Sequence, residues 1–467
     1  MSRETIIQRL REYVRHASVS NNPESASGME GARSFVENRL KALGFCVESV
    51  PTELHPILIG RRGHESPGSE NWPHILIYAH YDVQPPDPLD LWDSPPFEAT
   101  VRGDRIFGRG AADNKGPFIV HTQALEALFR EHPEVPLKFT YLIEGEEEIG
   151  SPSFPAFLER YRDLLSRADF VLISDTGGHT PDQLAVTTSL RGLTDLEVEV
   201  RGPESDLHSG LFGGAILNPI QALVEILATL HRKDGSINVP GFYEGVTGAE
   251  AWEREELARL PGGDAELKSF LGVPALRPPP GFGGLEAIRF QPTLEINGIT
   301  GGYQGPGPKT VIPSTASCKI TCRLVPHQDP YKVQEAVTRA ILDRTPDGVS
   351  VAVHKGSCGY PYLVVPPGKP NTPQEQSAAV ASAFRHLDRS IEEQFGKRPL
   401  YLREGGSIPI VERLQKIAGL DSILIGLYTG EDRMHAPNES FHLGVAENAV
   451  TAFDDFFRGI AGLANHD

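Results

Sequence analysis

Apolar positions along the chain follow two spacings that alternate with each other. Residues 29–43 repeat them every three or four positions, and Gly44 stands where such a helix would stop. Residues 75–79 form an unbroken apolar run, the mark of a strand buried on both faces. The same rhythm predicts helices over about 115–130 and 153–166, and strands over 137–143 and 170–174. Strand, helix and strand in this order imply an α/β fold with a mostly parallel sheet covered by helices.

The pattern changes after about residue 188. Residues 193–200 alternate apolar and polar, as a half-solvated strand does, and a helix is expected over 217–232. Residues 240–290 are rich in Pro and Gly and read as an insertion with little sheet. Alternation returns over 310–324, followed by a helix over 330–343 and a strand over 349–353. The five prolines of 361–373 suggest a linker. Beyond it lie a helix (374–395), two strands (399–402, 422–425) and a helix (445–458). The expected organisation is an α/β domain in two stretches, 1–188 and 363–467, interrupted by an inserted α+β domain over 189–362.

Composition narrows the class. Acidic residues outnumber basic ones 62 to 44, a net charge of −18, which argues against nucleic acid or an anionic membrane surface as partner. No apolar run approaches the roughly 20 residues of a membrane span. The first 14 residues have helical spacing without the apolar stretch of a signal peptide. Four cysteines do not make a disulfide framework, so a cytoplasmic location is expected. Cys318 and Cys322, four apart in a strand pattern, read as buried fillers.

The candidate chemistry gathers beyond the carboxyl ends of the expected parallel strands, where ligands of such sheets bind. His80 and Asp82 follow the first run, Glu144, Glu146, Glu147 and Glu148 the second, and Asp175 the third. Asp113 precedes the helix that begins near Lys115. Carboxylates crowded at one rim repel unless a cation offsets them. Imidazole and carboxylate without thiolate suit Zn²⁺, Mn²⁺ or Co²⁺. Asp82, two residues past His80, is placed to accept the imidazole's second N–H.

Taken together, Tyr78-Ala-His-Tyr-Asp-Val-Gln-Pro85, Gly108-Arg-Gly-Ala-Ala-Asp-Asn-Lys-Gly116, Glu144-Gly-Glu-Glu-Glu-Ile-Gly-Ser151, Ile173-Ser-Asp-Thr176 and Met434-His-Ala-Pro-Asn-Glu439 resemble the motifs of carnosinase-like dipeptidases. These belong to a superfamily of dinuclear zinc metallopeptidases that includes aminoacylases and desuccinylases. The resemblance implies two divalent ions per subunit, zinc foremost, bridged by Asp113 across a cis Asp113–Asn114 peptide. Glu148 and His435 would complete one ion site, His80 and Asp175 the other. Glu147 would be the general base and acid. The resemblance further implies a homodimer in which His208 acts in the partner subunit's site.

For the substrate, the resemblance points to Arg323, with Thr310, holding a terminal carboxylate. The segment Arg403-Glu-Gly-Gly-Ser-Ile-Pro409 resembles a loop lining the substrate pocket. There Glu404 is placed to receive an ammonium group, flanked by Gly405, Gly406 and Ser407. The expected function is hydrolysis of short unblocked peptides, dipeptides foremost. An N-acyl or N-succinyl amino acid deacylase with the same core is the alternative.

Overall fold

The computed structural model describes residues 2–371 and 377–463 and divides into two compact units. The first comprises Met1–Thr188, Val364–Leu402 and Ile408–Asp467; the second comprises Ser189–Leu363 and Arg403–Ser407. The segment 403–407 therefore clusters with the second unit, not with the chain on either side of it.

In the first unit the strand His74–His80 is buried at all seven positions, which explains its unbroken apolar sequence. It pairs in parallel with Lys138–Glu144 on one side and Phe170–Gly177 on the other. Phe170–Gly177 pairs in parallel in turn with Ser422–Tyr428. Beyond these four strands the sheet turns antiparallel, through Cys46–Val50 and Ile57–Arg62 at one side and Ala185–Leu190 at the other. The sequence pattern missed these flanking strands: Cys46–Val50 is mostly exposed, while Ile57–Arg62 and Ala185–Leu190 are short and show no regular apolar–polar alternation. Helices Gly116–Glu131, Ala378–Phe395 and Leu443–Ile460 pack together over the sheet. The helix expected from 374 is described from Ala378; residues 372–376, the end of the linker and the start of that helix, lie outside the described residues.

The second unit is an antiparallel sheet in the order Thr293–Gly301, Thr315–Leu324, Gly192–Arg201, Ser350–Gly359. Its buried side chains pack with helices Pro219–Thr229 and Pro330–Leu342. Cys318 and Cys322 sit within this core, as their strand spacing requires. The expected strand 310–324 is broken at Pro313 into Val311–Ile312 and Thr315–Leu324. Residues 240–290 hold three short helices and no strand. Thr293–Gly301 escaped the sequence pattern because an edge strand with one buried position shows little apolar alternation.

Two buried histidines tie this fold to pH. His74 is 3% exposed, with its ring nitrogens 3.0 Å from the Arg167 carbonyl and 2.8 Å from the Thr140 hydroxyl. Burial pushes its imidazole down to about 4; burial likewise lowers His121 to about 3. Above pH 6.5 both are neutral folded or unfolded. As pH falls from 6.5 to about 4, the unfolded chain takes up protons first, so stability declines; for His74 the full penalty is about 3 kcal/mol. Denaturant melts across this window should show a shallower decline for His74→Gln than for the unaltered chain. An identical slope would remove His74 from the account.

Candidate active site

The parallel strands of the first unit deliver polar groups at or beyond their carboxyl ends. His80 ends its strand opposite Glu144. Asp175 lies near the end of the neighbouring strand, and Glu147 and Glu148 open a turn three residues beyond Glu144. Asp113 comes from the segment Ala111–Lys115 that leads into helix Gly116–Glu131. The Asp113–Asn114 peptide is cis. His435 lies in the loop after Ser422–Tyr428 at φ +60°, a left-handed conformation uncommon for a side chain of its size.

These groups converge. Asp113 Oδ1 lies 2.9 Å from His80 Nε2, and Oδ2 lies 2.9 Å from His435 Nε2. One carboxylate thus faces two imidazoles, one with each oxygen. His80 Nε2 is also 3.7 Å from Asp175 Oδ1, and His435 Nε2 is 3.3 Å from Glu148 Oε2. Two triads result, His80–Asp113–Asp175 and Asp113–Glu148–His435, each with its ligand atoms within 4.8 Å of one another. A tetrahedral ion with ligands about 2.1 Å away holds neighbouring donors about 3.4 Å apart, so both triads fit a divalent cation.

The electrostatics point the same way. Burial and the neighbouring Asp113 charge push Glu148 up to about 7 and raise Asp175. Burial raises Glu147 well above the usual carboxylate range, helped by Asp175, Glu148 and Asp113 and opposed by His80. Burial works against charge on Asp113 too, but His435 and His80 outweigh it and hold its carboxyl low. Asp113 and Glu148 raise His435 to about 10. Among the described residues no Lys or Arg ion pair reaches these carboxylates; the ion-pair partners of Asp113, Asp175 and Glu148 are the two imidazoles. Carboxylates stacked in this way, without a fixed cation, form a site able to bind metal.

Glu-Gly-Glu-Glu-Glu is not a solvated acidic loop. Glu144 accepts from the Tyr78 and Ser151 hydroxyls. Glu146 accepts from Thr52, His55 and Ser153. Glu148 accepts from Gln84. Among the described residues, the Glu147 carboxylate is the one of the four with no hydrogen-bond partner. Asp82 accepts the backbone N–H of Glu147 at 3.3 Å and of Glu148 at 3.0 Å. Its carboxylate is 3.3 Å from His80 Nδ1, whose closer partner is the Asp82 carbonyl at 3.1 Å. Asp82 thus fixes three of the converging groups at once.

Sequence reasoning passed over two supports. Asn114 Nδ2 donates to Asp175 Oδ1 at 3.0 Å and to the Ser174 carbonyl. The Gln84 amide donates to Glu148 Oε2 at 2.9 Å. Both stand inside the quoted motifs, two residues or fewer from an acidic group, and that adjacency was the available signal.

The sequence matches the profile of peptidase family M20/M25/M40 over residues 76–458. The chain belongs to this family. The M20 chain is similar to Beta-Ala-His dipeptidase from Homo sapiens, 29% identical over 99% of this chain and 91% of that protein. It is similar also to the Cys-Gly metallodipeptidase dug1 of Schizosaccharomyces pombe, 29% identical over 98% and 94%. Among solved structures it resembles the M20 metallo-carboxypeptidase Sso-CP2 from Sulfolobus solfataricus, with TM-score 0.81 and 28% identity over 98% and 99%. M20 membership and the two triads agree on a metallopeptidase.

The remaining expected site residues lie in the second unit. His208 and Val311 are paired across the short strands Leu207–His208 and Val311–Ile312, which sets His208 Nε2 3.5 Å from the Thr310 hydroxyl. The Gly210 N–H donates to His208 Nδ1 at 3.0 Å, so the neutral ring carries its proton on Nε2. Arg323 Nη1 donates to Ser407 Oγ at 2.9 Å, and Ser407 donates to the Arg191 carbonyl. Glu404 accepts from the N–H of Gly405 at 3.1 Å, while Gly406 accepts from Arg191 through its carbonyl.

Proposed function

We propose that the chain hydrolyses short unblocked peptides, dipeptides foremost, with two divalent ions held by His80, Asp113, Asp175, Glu148 and His435. The observation that carries this reading is the single carboxylate of Asp113 facing both imidazoles at 2.9 Å. The N- and O-only donor set suits zinc first, with manganese or cobalt as the other candidates. Two such ions supply, when bound, a polarised scissile carbonyl and a water acidified towards neutrality. Glu147, unheld by other side chains and raised in proton affinity, takes the proton from that water and passes it to the leaving amine. His208 donates from Nε2 to a developing oxyanion, a role supported by the Gly210 N–H that occupies its Nδ1.

The similar proteins named for β-Ala-His and Cys-Gly cleave substrates that share a free amine and a free carboxylate. Arg323, oriented by Ser407, binds that carboxylate with Thr310 assisting, and Glu404 binds the ammonium, in a loop spaced by Gly405 and Gly406. Arg323→Met should raise KM for a dipeptide by about 100-fold and change kcat far less, the loss of one charge-assisted pair of about 3 kcal/mol. Equal KM values in steady-state assays would remove Arg323 from substrate binding. The function itself is tested by comparing a dipeptide, its N-acetylated form and a longer peptide on metal-loaded protein. Turnover of the free dipeptide alone is the expected result; preference for the acetylated form would make the chain a deacylase.

The active form is a homodimer, and His208 serves the partner subunit's site. Supporting this is the edge strand Thr293–Gly301, paired on one side only, with Ile296 and Ile299 exposed, as is Val224 of helix Pro219–Thr229 in the same unit. The unpaired N–H and C=O groups of such an edge are a template for pairing with another strand. Light scattering should give twice 51.0 kDa, and Ile299→Asp should give the monomer mass. A monomeric unaltered chain with full activity would overturn the assignment. A cytoplasmic location is consistent with four unpaired cysteines. Among the described residues no helix is long and apolar enough to cross a membrane.

A further inference from the structure

A buried carboxylate that takes no part in the proposed chemistry grips the segment that carries Asp113. Glu439 and Arg109 are each 1% exposed. Glu439 Oε2 accepts from Arg109 Nη1 at 2.7 Å and from the Gly110 N–H at 2.9 Å. Its Oε1 accepts from the N–H groups of Ala112 at 2.9 Å and Asp113 at 3.2 Å. Three backbone donors of one short segment therefore close on a single carboxylate, a concave arrangement that favours an anion. The turn depends on Gly110 at φ +83°, where a Cβ would lie 2.4 Å from Val83 Cγ1.

Arg109 is anchored in its turn. Its Nη2 donates to the Pro85 carbonyl at 3.1 Å, and its guanidinium lies 5.6 Å from the centre of the Trp92 ring. The Glu439 carbonyl accepts from the Gly108 N–H at 2.9 Å, and the strand Ser440–His442 continues along Arg105–Phe107. Four residues before Glu439, His435 meets Asp113 Oδ2 at 2.9 Å. The segment 435–439 thus touches Asp113 twice, at the carboxylate through His435 and at the backbone N–H through Glu439.

We propose that Glu439, neutralised by Arg109, is a positioning residue that holds the Asp113 carboxylate where it serves both triads at once. The proposal rests on the reading of those triads as a pair of ion sites. A carboxylate shared by two ions tolerates little displacement, since a shift towards one set of ligands lengthens the contact with the other. Partners that orient ligands in this indirect way typically change metal affinity by about 10–100-fold when altered.

The test uses Glu439→Gln and the pair Arg109→Met with Glu439→Gln, the second because it leaves no unpaired buried charge. Zn²⁺ is titrated against a chromophoric chelator, with folding of each metal-free protein checked by circular dichroism. Whichever variant folds is read. The expected result is two ions on the unaltered chain and binding of at least one ion weakened by about 10–100-fold in the variants. Two ions held as tightly by a folded variant would overturn the proposal and leave the reading of the site intact. Failure of both variants to fold would also overturn it, assigning the pair to the fold alone. Fewer than two ions on the unaltered chain would instead overturn the reading of the site.

Discussion

Replacing Glu147 by Gln should leave two ions per chain and lower kcat by about 10²–10⁴-fold, the span typical of a lost general acid–base group. The reason lies in what this side chain does not touch. Glu144 and Glu146 are buried and hydrogen-bonded by their neighbours, and Glu148 meets His435 and Gln84. Glu147 belongs to neither triad, and Asp82 holds it only through its backbone N–H. Its carboxylate is therefore free to cycle between protonation states, and burial among acidic neighbours brings its proton affinity up. Gln has nearly the same shape and cannot accept the proton. Steady-state kinetics alongside elemental analysis would check both halves. Activity retained within a few-fold would remove Glu147 from the proton transfer; loss of metal would make it a ligand instead.

Asp113→Asn should have a larger effect on the ions than any other single ligand change. Asp113 is the one residue common to both triads, so its loss weakens both sites together. His435→Ala or Asp175→Asn should each weaken one ion and spare most of the other. An amide oxygen carries no net charge, and His80 and His435 would lose the partner that most strongly draws them together. The expected reading by isothermal titration with Zn²⁺ is fewer than one tightly bound ion in Asp113→Asn, about one in the other two variants, and no measurable turnover in the first. Two ions bound by Asp113→Asn would contradict the bridging role.

Much of the site could be read from the sequence, because its groups sit at places with local signatures. The runs over 75–79, 137–143 and 170–174 mark buried parallel strands, and acidic or imidazole residues at their carboxyl ends stand out against such apolar stretches. What the sequence hid was mostly non-local. Cys46–Val50 and the edge strand Thr293–Gly301 are largely exposed, and the short flanking strands Ile57–Arg62 and Ala185–Leu190 carry little periodicity. The role of Glu439 was hidden for another reason. It depends on backbone N–H groups more than 300 residues away in sequence, and these have no side-chain identity to recognise. The Asp82 contacts to Glu147 and Glu148 are of the same kind, whereas its link to His80, two residues away, was visible.

The central claim is that five side chains from separate strands and loops enclose a pair of divalent ions around one shared carboxylate. Anomalous diffraction at the zinc edge from crystals of the zinc-loaded protein tests it most directly. The account predicts two peaks per chain, one among His80, Asp113 and Asp175 and the other among Asp113, Glu148 and His435. A single peak, or peaks away from Asp113, would contradict it.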